Sequence, residues 1–504
     1  MNVAHTIERG RREYPRKPAL IFENTTMSYA DLDICASRMA NGLHGLDVGV
    51  GDRVALWLPN SFAFVFCYFG ILKIGAVAVS LNTMLKRGEA TFILNDSEAT
   101  ILITTTELRD MLDPTDLPSL RQTILVDAPG DGLFLNNVLE QSSPDRVARS
   151  MHKNDPAALL YTSGTTGTPK GALLSHGNVE FNSVAKVHHC GTTPQDKLAL
   201  FLPLFHCYGQ NAILNHGLHA GATIVLQQRF DPEQVVQAIV QHSITVLFGV
   251  PTVFIKLLQV DVDPEALRSV RYCFTASAPM PLDVSLEWRE RYSTVIHEGY
   301  GMTETSPFAS YNHPHHWKAG SIGIPIDGVQ MDVVDANGHV VGPGATGEIV
   351  IRGPNVMLGY WRRPDATAYA LRQGWLHTGD VGYIDDEGYF HIVDRLKDMI
   401  NVSGFKVYPA EIERMLRAHP AVGEVAVFAL PDPIKGEAVA SHIILNQGHT
   451  AESEELLSFC REHMANFKVP KHIQFVKDFP KNATGKVLKH VLRAQYSHMR
   501  GNSL

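Results

Sequence analysis

Several common signals are missing from this sequence, and each absence closes a class of function. No CxxC pair occurs among the six cysteines at 35, 67, 190, 207, 273 and 460. They are scattered and mostly set in apolar runs, so reduced, buried thiols in a cytoplasmic protein are expected rather than a disulfide framework. Basic residues are outnumbered, 44 Lys and Arg against 52 Asp and Glu, for a formal charge of −8. Nucleic acid needs a basic face, and none is evident. The opening "MNVAHTIERGRREYPRKPAL" is charged without an apolar core, so no secretory signal is read there. The closing "GNSL" is not a peroxisomal tripeptide. The most lipid-like stretch, "FAFVFCYFGILKIGAVAVSL" (62–81), is interrupted by Lys73 and two glycines. A buried helix followed by a core strand is expected there, with no transmembrane span. The tract "HPHH" (313–316) has no Cys or carboxylate at ligand spacing and reads as a polar loop rather than a metal site. No fixed-period repeat and no low-complexity tract appears.

What is present is a soluble globular composition, 45% hydrophobic and 19% charged, over 504 residues, too long for one ordinary core. Short apolar runs such as "RVALWLP" (53–59), "GAVAVSL" (75–81), "ATILITT" (99–105) and "ITVLFGVP" (244–251) alternate with helical patterns. Continuous Val/Ile/Leu strands separated by helices predict mostly parallel, helix-covered sheets. After about 320 the texture changes to hairpins, with turns at Asn337-Gly338 and Glu387-Gly388. The tail begins with a strand, a charged loop and an amphipathic helix carrying Pro409 near its start, and is large enough to fold alone. The fold class is therefore α/β. Residues 1–394 form a large N-terminal domain with a β-rich subdomain over about 320–394. Residues 395–504 form a small, mobile α+β C-terminal domain.

The stretch "YTSGTTGTPKGALLSH" (161–176) has the hydroxyls and glycines of a phosphate-binding loop without the register of a Walker loop. Pro169 stands before Lys170 and Gly171 after it, and both flanks read as strands, so no helix N-terminus aims at a phosphate. Ser163, Thr165, Thr166 and Thr168, spaced by Gly164, Gly167 and Gly171, can wrap a polyphosphate with hydroxyls and backbone amides, and Lys170 supplies a cation. By composition alone the same residues would be an exposed Ser/Thr/Gly hairpin.

The string "YTSGTTGTPKG" resembles the signature of the adenylate-forming superfamily, which includes acyl-CoA synthetases, coumarate-CoA ligases, firefly luciferase and peptide-synthetase adenylation domains. Four further motifs follow in the superfamily's order: "GYGMTE" (299–304), "HTGD" (377–380), "VDRLKD" (393–398) and "KNATGKVLK" (481–489). The resemblance covers essentially the whole chain.

The resemblance implies a two-step reaction. A carboxylate attacks the α-phosphorus of ATP, pyrophosphate leaves, and the thiol of coenzyme A then displaces AMP from the acyl-AMP. Both steps concentrate negative charge, so preorganised cations and donors should carry the catalysis. By resemblance, Thr162, Ser163, Gly164, Thr165, Thr166, Gly167 and Lys170 hold the β- and γ-phosphates. Tyr300 stacks on adenine, in a pocket lined by Ser277, Ala278, Pro279, Gly299 and Gly301. Thr303 contacts the α-phosphate and Glu304 helps to hold Mg²⁺. Asp380 binds the ribose hydroxyls, supported by Arg395. Lys486 bridges the carboxylate and the α-phosphate. The C-terminal domain turns about Lys397 and presents "NVSGFKV" (401–407) to the pantetheine, with Gly404 allowing close approach and Lys406 as a polar partner. Read without the family, Tyr300 and Glu304 are an aromatic and an acid in a turn, Asp380 is a turn residue, Arg395 an exposed salt-bridge residue and Lys486 a surface lysine.

For the acid, "PLFHCYG" (203–209) has His206 where peptide-synthetase domains carry the Asp that binds an amino group, which argues against α-amino acids. Gly299 stands where malonyl-CoA synthetases have an Arg, which argues against a dicarboxylic acid. The stretch instead resembles fatty-acyl and aryl-CoA ligases, whose His flanks the carboxylate. Phe205, Tyr208, Ala276, Gly299, Met302 and Ser306 give a mostly neutral lining. A medium- or long-chain fatty acid is the first choice and an aryl or cinnamate-type acid the second. Transfer to an acyl carrier protein, a luciferase-like oxygenase and a non-catalytic nucleotide-binding protein are the alternatives. The chain is expected to be a monomer or a homodimer.

Overall fold

The structure is a computed structural model that describes residues 1–162, 169–313, 315, 317–396, 398–403, 405–432, 436–481, 487–489 and 491–495. The chain divides into two compact units, residues 1–331 with 351–376, and residues 332–350 with 377–504. This division groups 377–394 with the tail, whereas the sequence reading places its boundary at 394.

Two large sheets organise the first unit. One has nine strands, with Lys197–Leu200, Thr223–Leu226, Val246–Gly249, Tyr272–Thr275 and Ile296–Gly301 among them. These pair in parallel. Antiparallel strands close both edges, with Phe308–Tyr311 beside Ile296–Gly301 at one of them. The other sheet has eight strands; Arg53–Trp57, Val77–Ser80, Ile101–Thr104, Gln122–Leu125 and Pro156–Thr162 pair in parallel. Its antiparallel edge holds Lys170–Ser175 and Gly359–Tyr360. The central strands are buried end to end, as strands covered on both faces must be.

The segment 62–81 behaves as its pattern requires. Ser61 caps the helix Phe62–Lys73, its Oγ accepting from the Phe64 amide at 3.2 Å, and the buried strand Val77–Ser80 follows. No helix among the described residues is long and apolar enough to cross a membrane.

The second unit is built from hairpins and one α+β layer. Strands Trp375–Ile384 and Phe390–Arg395 pair antiparallel. The turns fall at Asn337-Gly338 and Glu387-Gly388, closed by bonds between Asp335 and His339 and between Asp385 and Tyr389. In the tail, Val422–Asp432 and Gly436–Leu445 form a long antiparallel pair, and His472–Phe475 joins it in parallel. The helix Pro409–Arg417 starts on its proline and buries Ile412 and Leu416 against this sheet. The fold is thus α/β, with a large part built on parallel helix-covered sheets, a β-rich segment and a small α+β tail.

Candidate functional site

The flanks of the phosphate-loop string are two antiparallel strands, Pro156–Thr162 and Lys170–Ser175, with Thr162 directly opposite Lys170. The Thr162 hydroxyl donates to the Lys170 carbonyl at 3.4 Å. The hairpin therefore returns the lysine to the loop's own root. Ser163, Gly164, Thr165, Thr166 and Gly167 lie outside the described residues.

The strand Ile296–Gly301 carries the second group. It leaves the parallel sheet beside Tyr272–Thr275 and places Tyr300 opposite Ser310. Two glycines on it have no substitute. A Cβ on Gly301 would lie 1.6 Å from the Pro307 carbonyl oxygen, and one on Gly299 would lie 2.3 Å from Cζ of Phe274. The backbone then tightens into the turn Thr303–Thr305, held by Asn182, whose Nδ2 donates to the Thr305 carbonyl at 2.9 Å while Oδ1 accepts from the Phe308 amide at 2.9 Å.

That turn delivers Glu304 into the interior, 8% exposed. Its Oε1 accepts from the Tyr360 hydroxyl at 2.7 Å. Burial and the adjacent carboxylate both push the Tyr360 hydroxyl well above its ordinary range, so it stays a donor. Lys170 Nζ stands 5.5 Å from the centre of the same ring. Tyr360 thus joins the two sequence-predicted groups. Sequence reasoning passed over it because it lies 56 residues from Glu304, inside an unremarkable Gly-Tyr-Trp. The second Glu304 oxygen accepts no bond from a described residue, which suits a hard cation shared with substrate phosphates. Among the described residues no group of three His, Cys, Asp or Glu forms a metal cage.

Glu298 was missed as well, although an acid inside "TVIHEGYG" is a legible oddity. It is 7% exposed, and burial raises its carboxyl to about 7, against the opposing pull of two amides. Those amides are Met280 N, donating to Oε2 at 3.2 Å, and Gly320 N, donating to Oε1 at 3.3 Å. Through Met280 the carboxyl anchors the loop bearing Ser277, Ala278 and Pro279, which are exposed, with Ser277 at a φ of 75°.

His206 sits at the start of the π-helical stretch that runs from Tyr208 to Asn215. Its Nδ1 accepts from the Tyr208 amide at 3.1 Å, which leaves Nε2 as the donor of a neutral ring. Burial lowers the imidazole to about 4, so it is neutral at pH 7. The Tyr208 hydroxyl donates to the Gly249 carbonyl at 3.1 Å.

In the second unit, Asp380 and Arg395 face each other across paired strands, with Nε to Oδ1 at 2.8 Å. Asp380 is 4% exposed, and its amide donates to the Thr378 hydroxyl. The next residue back, Asp394, accepts from the Ala410 amide at 2.8 Å and so ties this strand to the start of helix Pro409–Arg417. Lys406 is exposed on the short strand Phe405–Val407. Lys397, Gly404 and Lys486 lie outside the described residues.

Comparison with known proteins agrees with the order of these features. Residues 7–361 match the AMP-binding enzyme family and residues 411–486 the AMP-binding enzyme C-terminal domain. A feruloyl-CoA synthase of Amycolatopsis sp is 37% identical over 491 residues, 97% of this chain and 98% of that protein. A long-chain-fatty-acid–CoA ligase of Bacillus subtilis (strain 168) is 33% identical, covering 95% of this chain and 92% of that protein. The solved anthranilate CoA ligase AuaEII, in complex with anthranoyl-AMP, superposes with a TM-score of 0.91 at 30% identity, covering 98% and 97% of the two chains.

Proposed function

The chain belongs to the AMP-binding enzyme family, and from that premise we propose that the acid it activates is a medium- or long-chain fatty acid. The coarser activity is that of an AMP-forming acid–CoA ligase, with a small carboxylic acid, ATP, Mg²⁺ and coenzyme A as its reactants. The observation that carries the assignment is the strand end Gly299–Glu304, with Glu304 buried and held by the Tyr360 hydroxyl beside Lys170.

In our reading, the acid's carboxylate attacks the α-phosphorus, a new O–P bond forms and pyrophosphate departs. Tyr300 holds adenine. Asp380, with Arg395 to orient it, accepts from the ribose hydroxyls. Mg²⁺, when bound, neutralises phosphate charge. Thr303 donates to the α-phosphate, and neutral His206 offers Nε2–H beside the carboxylate without attracting the wrong charge. Lys486 bridges both reacting groups. The segment 395–504 then withdraws, and the CoA thiolate attacks the carbonyl to release AMP. The neutral lining of Phe205, Tyr208, Ala276, Gly299, Met302 and Ser306 supports a fatty acid. The aromatic rings of Tyr208, Phe274 and Phe308 around that lining favour an aryl acid as the second reading. All six cysteines are free, which suits a reducing compartment such as the cytoplasm.

The test is acid-dependent pyrophosphate release from Mg·ATP across fatty acids of increasing length, benzoate and cinnamate, with and without CoA. A fatty-acid optimum with CoA-dependent AMP turnover is expected. Release with aryl acids alone overturns the fatty-acid reading. Release that CoA fails to accelerate points to a carrier protein as acceptor.

A further inference from the structure

The first unit contains a fully enclosed lysine that the reaction above does not use. Lys186, on helix His176–Cys190, is 4% exposed, and its ammonium has no hydrogen-bond partner among the described residues apart from the Cys190 thiol, a weak acceptor one turn further on. Nζ lies 3.2 Å from the ring centre of Phe274, 3.7 Å from that of Phe308 and 4.9 Å from that of Phe248. Ring faces attract a cation but accept no ordinary hydrogen bond, so its donors stay unmatched. Burying such a group unmatched is costly, and proteins seldom keep one without use.

Its surroundings are short of the same thing. Among the described residues the Tyr311 hydroxyl and His297 Nδ1 are also buried without a partner, the Tyr272 hydroxyl has just the same weak Cys190 thiol, and Tyr272 stacks between Phe274 and His297. Burial lowers Lys186 to about 8 and His297 to about 4, leaving one cation among neutral groups at pH 7. Among the described residues no carboxylate bonds to it or pairs with it.

The place connects directly with the acid-binding region. Phe274 precedes Ala276 by two residues on one strand end, and Phe308 follows Ser306 by two. Gly299 touches the Phe274 ring, and Tyr208 packs against it with ring centres 6.5 Å apart. The rings that hold Lys186 therefore adjoin the residues that the acid would meet.

We propose that Lys186 receives the far end of the acid, and that the preferred substrate carries a second anionic or acceptor group there, a carboxylate or a phenolic oxygen, on a body that is either a chain or a ring. This rests on the acid–CoA ligase reading, and it reverses the argument from Gly299 against a second carboxylate. That argument searched one position, and the cation stands on a different element.

The test compares matched acids with the full chain, Mg·ATP and CoA: monocarboxylic acids against α,ω-dicarboxylic acids of the same length, and cinnamate against its 4-hydroxy and 4-carboxy derivatives. The wild-type enzyme is expected to favour the distally substituted member by about 10-fold or more in kcat/KM, the worth of one hydrogen bond to a charged group. In Lys186→Met that preference collapses, while the unsubstituted parent is used as well as before or better. The carboxylate and phenol arms identify which acceptor is preferred. Parents used equally well by the wild type overturn the inference, whatever the variant does. So does a variant that loses both members of a pair alike, since that is what a packing lysine would give. No pyrophosphate release with any acid tested would overturn the ligase reading itself and the inference with it.

Discussion

Lys73 and Lys186 are both enclosed in the first unit, 0% and 4% exposed, yet their surroundings differ in one respect. Lys73, in the last turn of its helix, donates to Glu8 Oε1 at 2.7 Å and to the Arg146 carbonyl at 2.9 Å, and pairs with Asp33 Oδ1 at 2.8 Å. Asp33 is further matched by Arg11 at 3.0 Å. Four chain segments are stapled together, and each charge has an opposite charge beside it, although Asp33 Oδ1 meets the ammonium as an ion pair without hydrogen-bond alignment. Around Lys186 there are rings and unmatched donors. Burial alone does not distinguish structure from function, because both lysines are buried. The supply of acceptors does: a closed set stabilises the fold, and an open set has something left to bind.

The largest expected effect bears on the closed set. Lys73→Met strands Glu8 and Asp33, and should lower the free energy of urea unfolding by about 3–5 kcal/mol. Next comes Glu298, a buried carboxyl answered among the described residues by two amides. Its value rises from 4.5 to about 7 on folding, so between those pH values the folded chain keeps a proton that the unfolded chain has released. Stability from this group is full below about pH 4.5, falls as pH rises towards 7 and is flat above that. Glu298→Gln should remove the slope, gaining about 2–3 kcal/mol on the wild type between pH 5 and pH 8 in parallel urea titrations. Tyr360→Phe removes the bond to the buried Glu304 and should raise the Mg²⁺ concentration for half-maximal rate by about 10-fold, while lowering the free energy of unfolding by about 1–3 kcal/mol. The smallest effect is Lys186→Met, expected within about 1 kcal/mol of wild type, since it replaces an unanswered cation by an apolar chain of similar length. A cost as large as that of Lys73→Met would erase the contrast between the two lysines.

Much of the site was legible because it is local in the chain. The paired strands that flank residues 163–168, the sequence from Gly299 to Glu304, and the hairpin turns at 337–338 and 387–388 each depend on near neighbours, so residue type and spacing sufficed. Asp380 and Arg395 were named from their motifs alone, and that they pair with each other across a single hairpin came from the structure. Tyr360 and Glu298 were not found in this way. The first depends on an edge strand returning from far along the chain, and the second on which loop amides happen to reach a buried oxygen. The reading of Lys73 as an interruption of an apolar run was correct as far as it went. Its partners, 65 and 40 residues away along the chain, were not visible from the run itself.

By itself, the order of residues determined the α/β class, the family and the reactants, because the motifs that carry them are short and their geometry is set by the backbone within a few residues. Only the tertiary structure decided which buried charges are answered. That depends on acceptors brought together from distant segments, and two lysines alike in sequence context were separated by the presence of Glu8 and Asp33 beside one and of Phe274 and Phe308 beside the other.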